Sequence, residues 1–158
     1  MVNVVENRIK TVFMKMLTLF AAVLISLHVA GQDIPAAAVP APVITTFHAR
    51  FPTAAGLEWE QKMEGYEAEF RVNRLEHKAL LDSTGKLLRY KHDVPASALP
   101  AAVKNTISNQ YKGFRIEDAE QVEMNGKVWC QVELDGEPHD RKVVLSKDGK
   151  VDNTLIYW

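Results

Sequence analysis

Tyr66-Glu-Ala-Glu-Phe70-Arg-Val72 alternates apolar and polar residues, and Cys130-Gln-Val-Glu-Leu134 repeats that alternation 64 positions later. Period-two alternation marks a strand with one buried face. The same offset carries His77-Lys-Ala-Leu-Leu81-Asp-Ser-Thr-Gly85-Lys86 onto Arg141-Lys-Val-Val-Leu145-Ser-Lys-Asp-Gly149-Lys150. Upstream, Pro40-x-x-Val43-x-x-x-Phe47-x-x-x-Phe51 recurs 60 positions on as Pro100-x-x-Val103-x-x-x-Ile107-x-x-x-Tyr111. Apolar residues at i, i+4 and i+8 behind a proline describe one stripe of an amphipathic helix. Pro42 is tolerated because it still falls in the first turn. The change of offset from 60 to 64 puts a four-residue length difference between helix and sheet.

Each copy therefore reads as a helix followed by an antiparallel meander. The strands expected in the first copy are Leu57–Met63, Tyr66–Arg74, His77–Asp82 and Lys86–Lys91. In the second they are Asp118–Met124, Val128–Asp135, Arg141–Ser146 and Lys150–Ile156. Glu64-Gly65 and Asn125-Gly126 read as two-residue turns, the latter the pair preferred in type I′. The fold class is α+β: two tandem helix-plus-four-strand repeats, 40–99 and 100–158, sharing one antiparallel eight-stranded sheet with helices on one face. A copy of this size buries little apolar surface alone, so a shared sheet makes one domain.

Residues 1–31 read as an address. Arg8, Lys10 and Lys15 precede an uncharged run from Met16 to Ala30. Its apolar centre, Leu17 to Leu27, has the length of a signal-peptide h-region and is shorter than the roughly 20 residues that span a bilayer. Cleavage is expected after Gly31, leaving Gln32 as the new N-terminus and no stable membrane anchor. An uncleaved N-terminal anchor or a buried core helix fits length and flanks less well. Met14 or Met16 would also make a compact start. Removal of this segment takes three basic residues and one acidic, Glu6, and points to a periplasmic or secreted protein. Residues 32–39 read as an extended Pro/Ala-rich leader.

Composition excludes several functions. Of 158 residues 47% are hydrophobic and 25% charged, so the chain is neither disordered nor fibrous. Nineteen basic against 20 acidic residues leave a formal charge of −1, too little for nucleic-acid binding. One cysteine forbids an internal disulfide or a CxxC site.

The order and spacing of these motifs resemble the PepSY-like, beta-lactamase-inhibitor-protein-like family of secreted bacterial proteins. The features carrying the likeness are the P-x-x-V-x-x-x-F-x-x-x-F helix, Phe51-Pro52 followed by Trp59-Glu60, and Tyr66-Glu-Ala-Glu-Phe70. His77-Lys78 leading to Asp82-x-x-Gly85-Lys86 belongs with them, as does the second copy with Val132-Glu-Leu134 and Asp148-Gly149-Lys150. The resemblance spans about residues 40–152. It implies two α/β repeats in one continuous sheet, with the helix-free face available to a protein. The founding inhibitors carry disulfides, which this chain cannot form internally.

No catalytic residue, metal site or cofactor is expected. His48, His77, His92 and His139 form no HxH or HExxH and read as solvated surface residues. Asp148-Gly149-Lys150 and Gly85-Lys86 lack the rest of an EF-hand or P-loop and read as hairpins. No nucleophile elbow occurs. Cys130 alternates with Val132 and Leu134 and reads as a buried, inert thiol. Glu58/Glu60 and Glu67/Glu69 each line one strand face, as solvated residues do.

One feature leans towards binding. If Tyr66, Ala68, Phe70 and Val72 face the helices, then Glu67, Glu69 and Arg71 face away. By the same count Trp129, Gln131 and Glu133 face away in the second copy. An aromatic among charges on an open sheet has the composition of a protein-recognition patch. Equally, Trp129 would pack under the leader or a loop. The expectation is a monomeric, non-enzymatic exported module that recognises a protein or peptide of the cell envelope on that face. The alternatives are a small-molecule or metal-ion binding envelope protein and a hydrolase using acidic residues.

Overall fold

A computed structural model describes residues 33–158. The signal segment 1–31, its cleavage point and Gln32 lie outside the described residues. Helix α1 is Ala41–Arg50, followed by β1 (Ala55–Lys62), β2 (Gly65–Val72), β3 (Leu75–Leu81) and β4 (Leu87–Asp93). Helix α2 is Ala101–Gln110, followed by β5 (Arg115–Met124), β6 (Lys127–Asp135) and β7 (Arg141–Ser146). The strands pair in chain order, all antiparallel, in one seven-stranded sheet.

The helical stripes form as their spacing requires. Val43, Phe47 and Phe51 pack on Trp59, Ala68, Phe70, Ala79 and Leu81. Val103 and Ile107 pack on Ala119, Cys130, Val132, Leu134 and Leu145. Pro52 stops α1 just beyond Phe51, whose amide still donates to Phe47 O at 2.8 Å. Both helices rest on the β-hairpin glycines. A Cβ on Gly85 would lie 2.6 Å from Pro42 O, and one on Gly149 would lie 2.6 Å from Ala102 O. Both glycines also have positive φ, +86° and +82°, so only glycine fits without strain.

The eighth strand is absent. The segment expected to form it, Lys150–Ile156, makes one bridge, Leu145 with Val151, through Ser146 N to Lys150 O at 2.9 Å and Asp152 N to Val144 O at 2.8 Å. The Asp152 carboxylate then accepts from both the amide (2.8 Å) and the hydroxyl (2.6 Å) of Thr154. This Asx-type turn competes with the ladder and carries the chain off the sheet edge.

The leader is not a free extended arm either. Asp33 bridges Glu60, Ile34 N donates to Trp59 O at 2.7 Å, Ala36–Ala38 form a 3₁₀ turn, and Val39 enters the core. The same arrangement recurs 60 residues on: Asp93 pairs with Glu120, Val94 N donates to Ala119 O at 2.8 Å, and Ala96–Ala98 form a 3₁₀ turn. Asp33-Ile-Pro-Ala-Ala-Ala-Val-Pro40 and Asp93-Val-Pro-Ala-Ser-Ala-Leu-Pro100 are thus equivalent, and the repeated unit extends upstream of Pro40.

Two turns differ in register or were not foreseen. Lys62 pairs with Gly65, so the first tight turn is Met63–Glu64. Gly65 is needed for packing, since a Cβ there would lie 2.0 Å from Leu81 O. Asn73–Arg74 forms a turn with φ of 53° and 69°, and starts β3 at Leu75. Asn125–Gly126 does turn as its sequence predicts, with φ of 52° and 70°.

Candidate binding face

Register fixes which side chains share the helix-free face. Glu69 lies opposite Lys78, Lys78 opposite Lys91, Lys91 opposite Val122, and Val122 opposite Trp129. Directly opposed residues share a face, so Glu67, Glu69 and Arg71 of β2 lie on the same side as Trp129, Gln131 and Glu133 of β6. Five other strands contribute to this side: Glu60 and Lys62 from β1, Lys78 and Leu80 from β3, Arg89 and Lys91 from β4, Glu120 and Val122 from β5, and Lys142 and Val144 from β7.

The charges pair across strands. Lys62 bridges Glu60 and Glu67, the latter at 3.2 Å. Lys78 pairs with Glu69, Lys142 with Glu133 at 3.1 Å, and Lys91 with Glu120 at 2.7 Å. The Lys62–Glu60 hydrogen bond is the main cause that raises the Lys62 pKa above its ordinary value. Carboxylate oxygens of Glu60, Glu67 and Glu69 converge within 4.8 Å, but Lys62 and Lys78 already hold them. Arg71 lies towards the rim, paired with Glu76 at 3.8 Å.

The centre of this face is not bare. Leu80 is 1% exposed, Glu67 4%, Gln131 3% and Lys91 8%. The cover is the chain's own segment after the Asx turn. Trp158 N donates to Gln131 Oε1 at 3.2 Å, and its indole Nε1 donates to Glu67 Oε2 at 3.1 Å. Lys91 Nζ donates to Trp158 O at 2.5 Å. The Arg89 guanidinium and the Lys91 ammonium lie 5.0 and 5.4 Å from the indole centroid, within cation–π range. Tyr157 lies under Lys142 at 5.0 Å. Burial, and then the carboxylates of Glu120, Asp118 and Glu133, push the Tyr157 hydroxyl far above its ordinary pKa.

Glu67 and Gln131 are equivalent positions in the two repeats, 64 apart, and both grip the same residue. Trp129 is half-buried, facing Val122 and Ser146 across the ladder. The sequence reading missed Leu80, Arg89, Lys91, Glu120, Tyr157 and Trp158. The parity of Arg89 and Lys91 along β4 was the available signal for those two.

The other face holds a second unforeseen cluster. His77, expected on the surface, is 8% exposed and stacks between Phe70 and His92, with centroids 5.3 Å away on each side. Its Nδ1 lies 2.8 Å from Tyr90 Oη. The strand expected from the alternation starts at His77, whereas β3 begins two residues earlier and sets His77 inside the strand. Burial lowers the pKa of both histidines. Cys130 is buried in the second core, where burial raises its thiol pKa.

The duplicated α+β fold and its charged, helix-free face define the class. The chain belongs to the family described as "Putative beta-lactamase-inhibitor-like, PepSY-like", whose model matches residues 27–89 and again 86–152. A DUF2874 family protein from Bacteroides uniformis superposes with a TM-score of 0.66 at 21% identity, covering 71% of this chain and 85% of that one. A BLIP-like protein from Bacteroides fragilis gives 0.64 at 18% identity, covering 76% and 85%. A Bacteroides eggerthii structure described as "putative periplasmic proteins" gives 0.66 at 20%, covering 72% and 85%. These likenesses are of fold. No curated protein matches the chain. Among the described residues no helix is long and apolar enough to cross a membrane.

Proposed function

We propose that this protein is an exported, non-enzymatic binding module of the periplasm or cell exterior. Its site is the helix-free face carrying Glu67, Glu69, Arg71, Trp129, Gln131 and Glu133, and its partner is a protein or peptide of the cell envelope. The observation that carries this reading is the way both repeats converge on one residue. Glu67 and Gln131, from equivalent positions, take the side chain and main chain of Trp158. A face already able to hold an aromatic residue by its indole and its backbone has the chemistry of peptide recognition. Paired charges set among the buried apolar residues Leu80, Val122 and Val144 give the face both the polar and the apolar contacts that a protein interface uses.

Capture from envelope extract tests it. The wild-type chain is compared with Trp129→Ala and Glu133→Lys. A partner retained by wild type and lost by both variants supports the face. Equal recovery of every partner by all three removes it.

A further inference from the structure

We infer that Tyr157–Trp158 is an internal ligand of the sheet face, and that the face selects extended peptides placing a tryptophan where Trp158 now sits. The inference rests on the proposed binding role and names the chemistry of the partner.

The seat reads tryptophan in particular. Glu67 accepts the indole N–H, a donor that phenylalanine lacks and tyrosine places elsewhere. Arg89 and Lys91 lie within cation–π range of the ring, an attraction strongest for indole. Gln131 and Lys91 read the main chain, accepting from the amide and donating to the carbonyl. Those two contacts ask for extended backbone and no particular neighbouring side chain. Beside the indole a cleft of about 470 Å³ opens between Glu64, Glu67, Lys78 and Arg89, with fully exposed Met63 at its rim. Neighbouring residues of a longer peptide fit there.

The present occupant is also replaceable. Among the described residues, backbone pairing of the preceding segment to β7 is confined to the Val151 bridge, made by Ser146 N to Lys150 O and Asp152 N to Val144 O. No strand pairs the outer edge of β7 among the described residues, so residues 150–156 have an alternative place as the strand their sequence predicts. An occupant tethered in cis lowers the apparent affinity for any competitor by the fraction of open face.

The test uses the full chain and a fluorescein-labelled, amidated peptide of residues 153–158, followed by anisotropy. The peptide is expected to bind the Trp158→Ala chain about tenfold or more tighter than wild type, because its own competitor is gone. Adding Glu67→Leu to that chain, which removes the acceptor of the indole N–H, or replacing the peptide's tryptophan with alanine, is expected to abolish the gain. Absence of binding to a folded Trp158→Ala chain, or equal binding of the alanine peptide, overturns the inference.

Should Trp158→Ala fail to fold, wild type serves: excess peptide is expected to shift the Trp158 indole N–H resonance in ¹⁵N-labelled protein, and an unmoved resonance overturns the inference. Failure here leaves the envelope-capture result standing. The face itself falls only when Trp129→Ala and Glu133→Lys retain every partner.

Discussion

The two repeats share a plan and differ at its last strand. In the first, β4 is paired on both sides, with β3 through His77–His92 and Ala79–Tyr90 and with β5 through Arg89–Met124 to Asp93–Glu120. The equivalent stretch of the second repeat, 64 residues on, keeps one bridge and leaves. β4 gains a ladder on each edge, whereas its counterpart has only β7 to pair with. Asp152 then offers the backbone a local alternative. The chain released from the edge is the chain that covers the face. Duplication thus builds the sheet, and the incomplete last copy gives it an occupant.

The cores differ as well, and the largest effects are expected there. Phe47 lies 4.9–5.4 Å by ring centroid from Phe51, Trp59 and Phe70, while its equivalent Ile107 belongs to a cluster whose buried members include no aromatic residue. Phe47→Ala is expected to cost about 3–5 kcal/mol and Ile107→Ala about 2–5, each leaving a cavity under a helix. Urea unfolding followed by both fluorescence and circular dichroism checks this. If one sheet makes one cooperative unit, both variants lower the same single transition. Two separated transitions in either variant would show that the repeats unfold independently, breaking the picture of a shared domain.

A smaller effect is confined to the first repeat, because the second has Arg141 and Ile156 at the positions of His77 and His92. His77 and His92 stack with planes 16° apart, and His77 Nε2 and His92 Nδ1 are buried without a partner. Burial lowers both pKa values, the charge of His92 lowers that of His77 further, and Asp93 pulls both the other way. Between the unfolded value of about 6.5 and the lower folded values, the unfolded chain binds more protons. Stability is therefore expected to fall as pH drops through that window, by at most about 1.4 kcal/mol per pH unit for each histidine, and to level off below it. Urea midpoints from pH 7.5 down to about 5 measure the slope. A His77→Gln, His92→Gln chain should flatten it. An unchanged slope would place the acid sensitivity in other groups.

How much of this was legible follows from how local each signal is. The alternation in Tyr66–Val72 and Cys130–Leu134, and the stripes Val43–Phe47–Phe51 and Val103–Ile107–Tyr111, are set within one element, and they gave the helices, seven strands and the facing of Glu67 and Gln131. The eighth strand looked equally good by pattern. Whether a strand forms also depends on its neighbours, which pattern does not contain. The leader was obscured by its Pro/Ala composition, although its match to Asp93–Pro100 was present in the letters. His77 was misplaced because the Asn73–Arg74 turn carries no glycine or proline to announce it. Burial of Glu67 and Gln131 was out of reach, since their cover comes from Trp158, 91 and 27 residues away.

The smallest expected effect concerns the one ion pair among the described residues that reaches from a helix of the first repeat to a strand of the second. Arg50 of α1 meets Glu123 of β5 at 3.1 Å, and by position it looks like a clamp between the copies. Its energetics argue otherwise. Both side chains keep close to half of their surface exposed, 45% and 42%, so water and salt screen the attraction and two long side chains lose rotamer freedom to meet. Exposed pairs of this kind contribute about 0.2–1 kcal/mol. A double-mutant cycle of Arg50→Ala and Glu123→Ala is expected to return a coupling below about 0.5 kcal/mol, shrinking further in high salt. The β4–β5 ladder and the buried Lys91–Glu120 pair, at 2.7 Å with both side chains about one-tenth exposed, are what hold one repeat to the other. A coupling well above 1 kcal/mol at Arg50–Glu123 would reverse that order and make the helix, rather than the sheet, the joint between the copies.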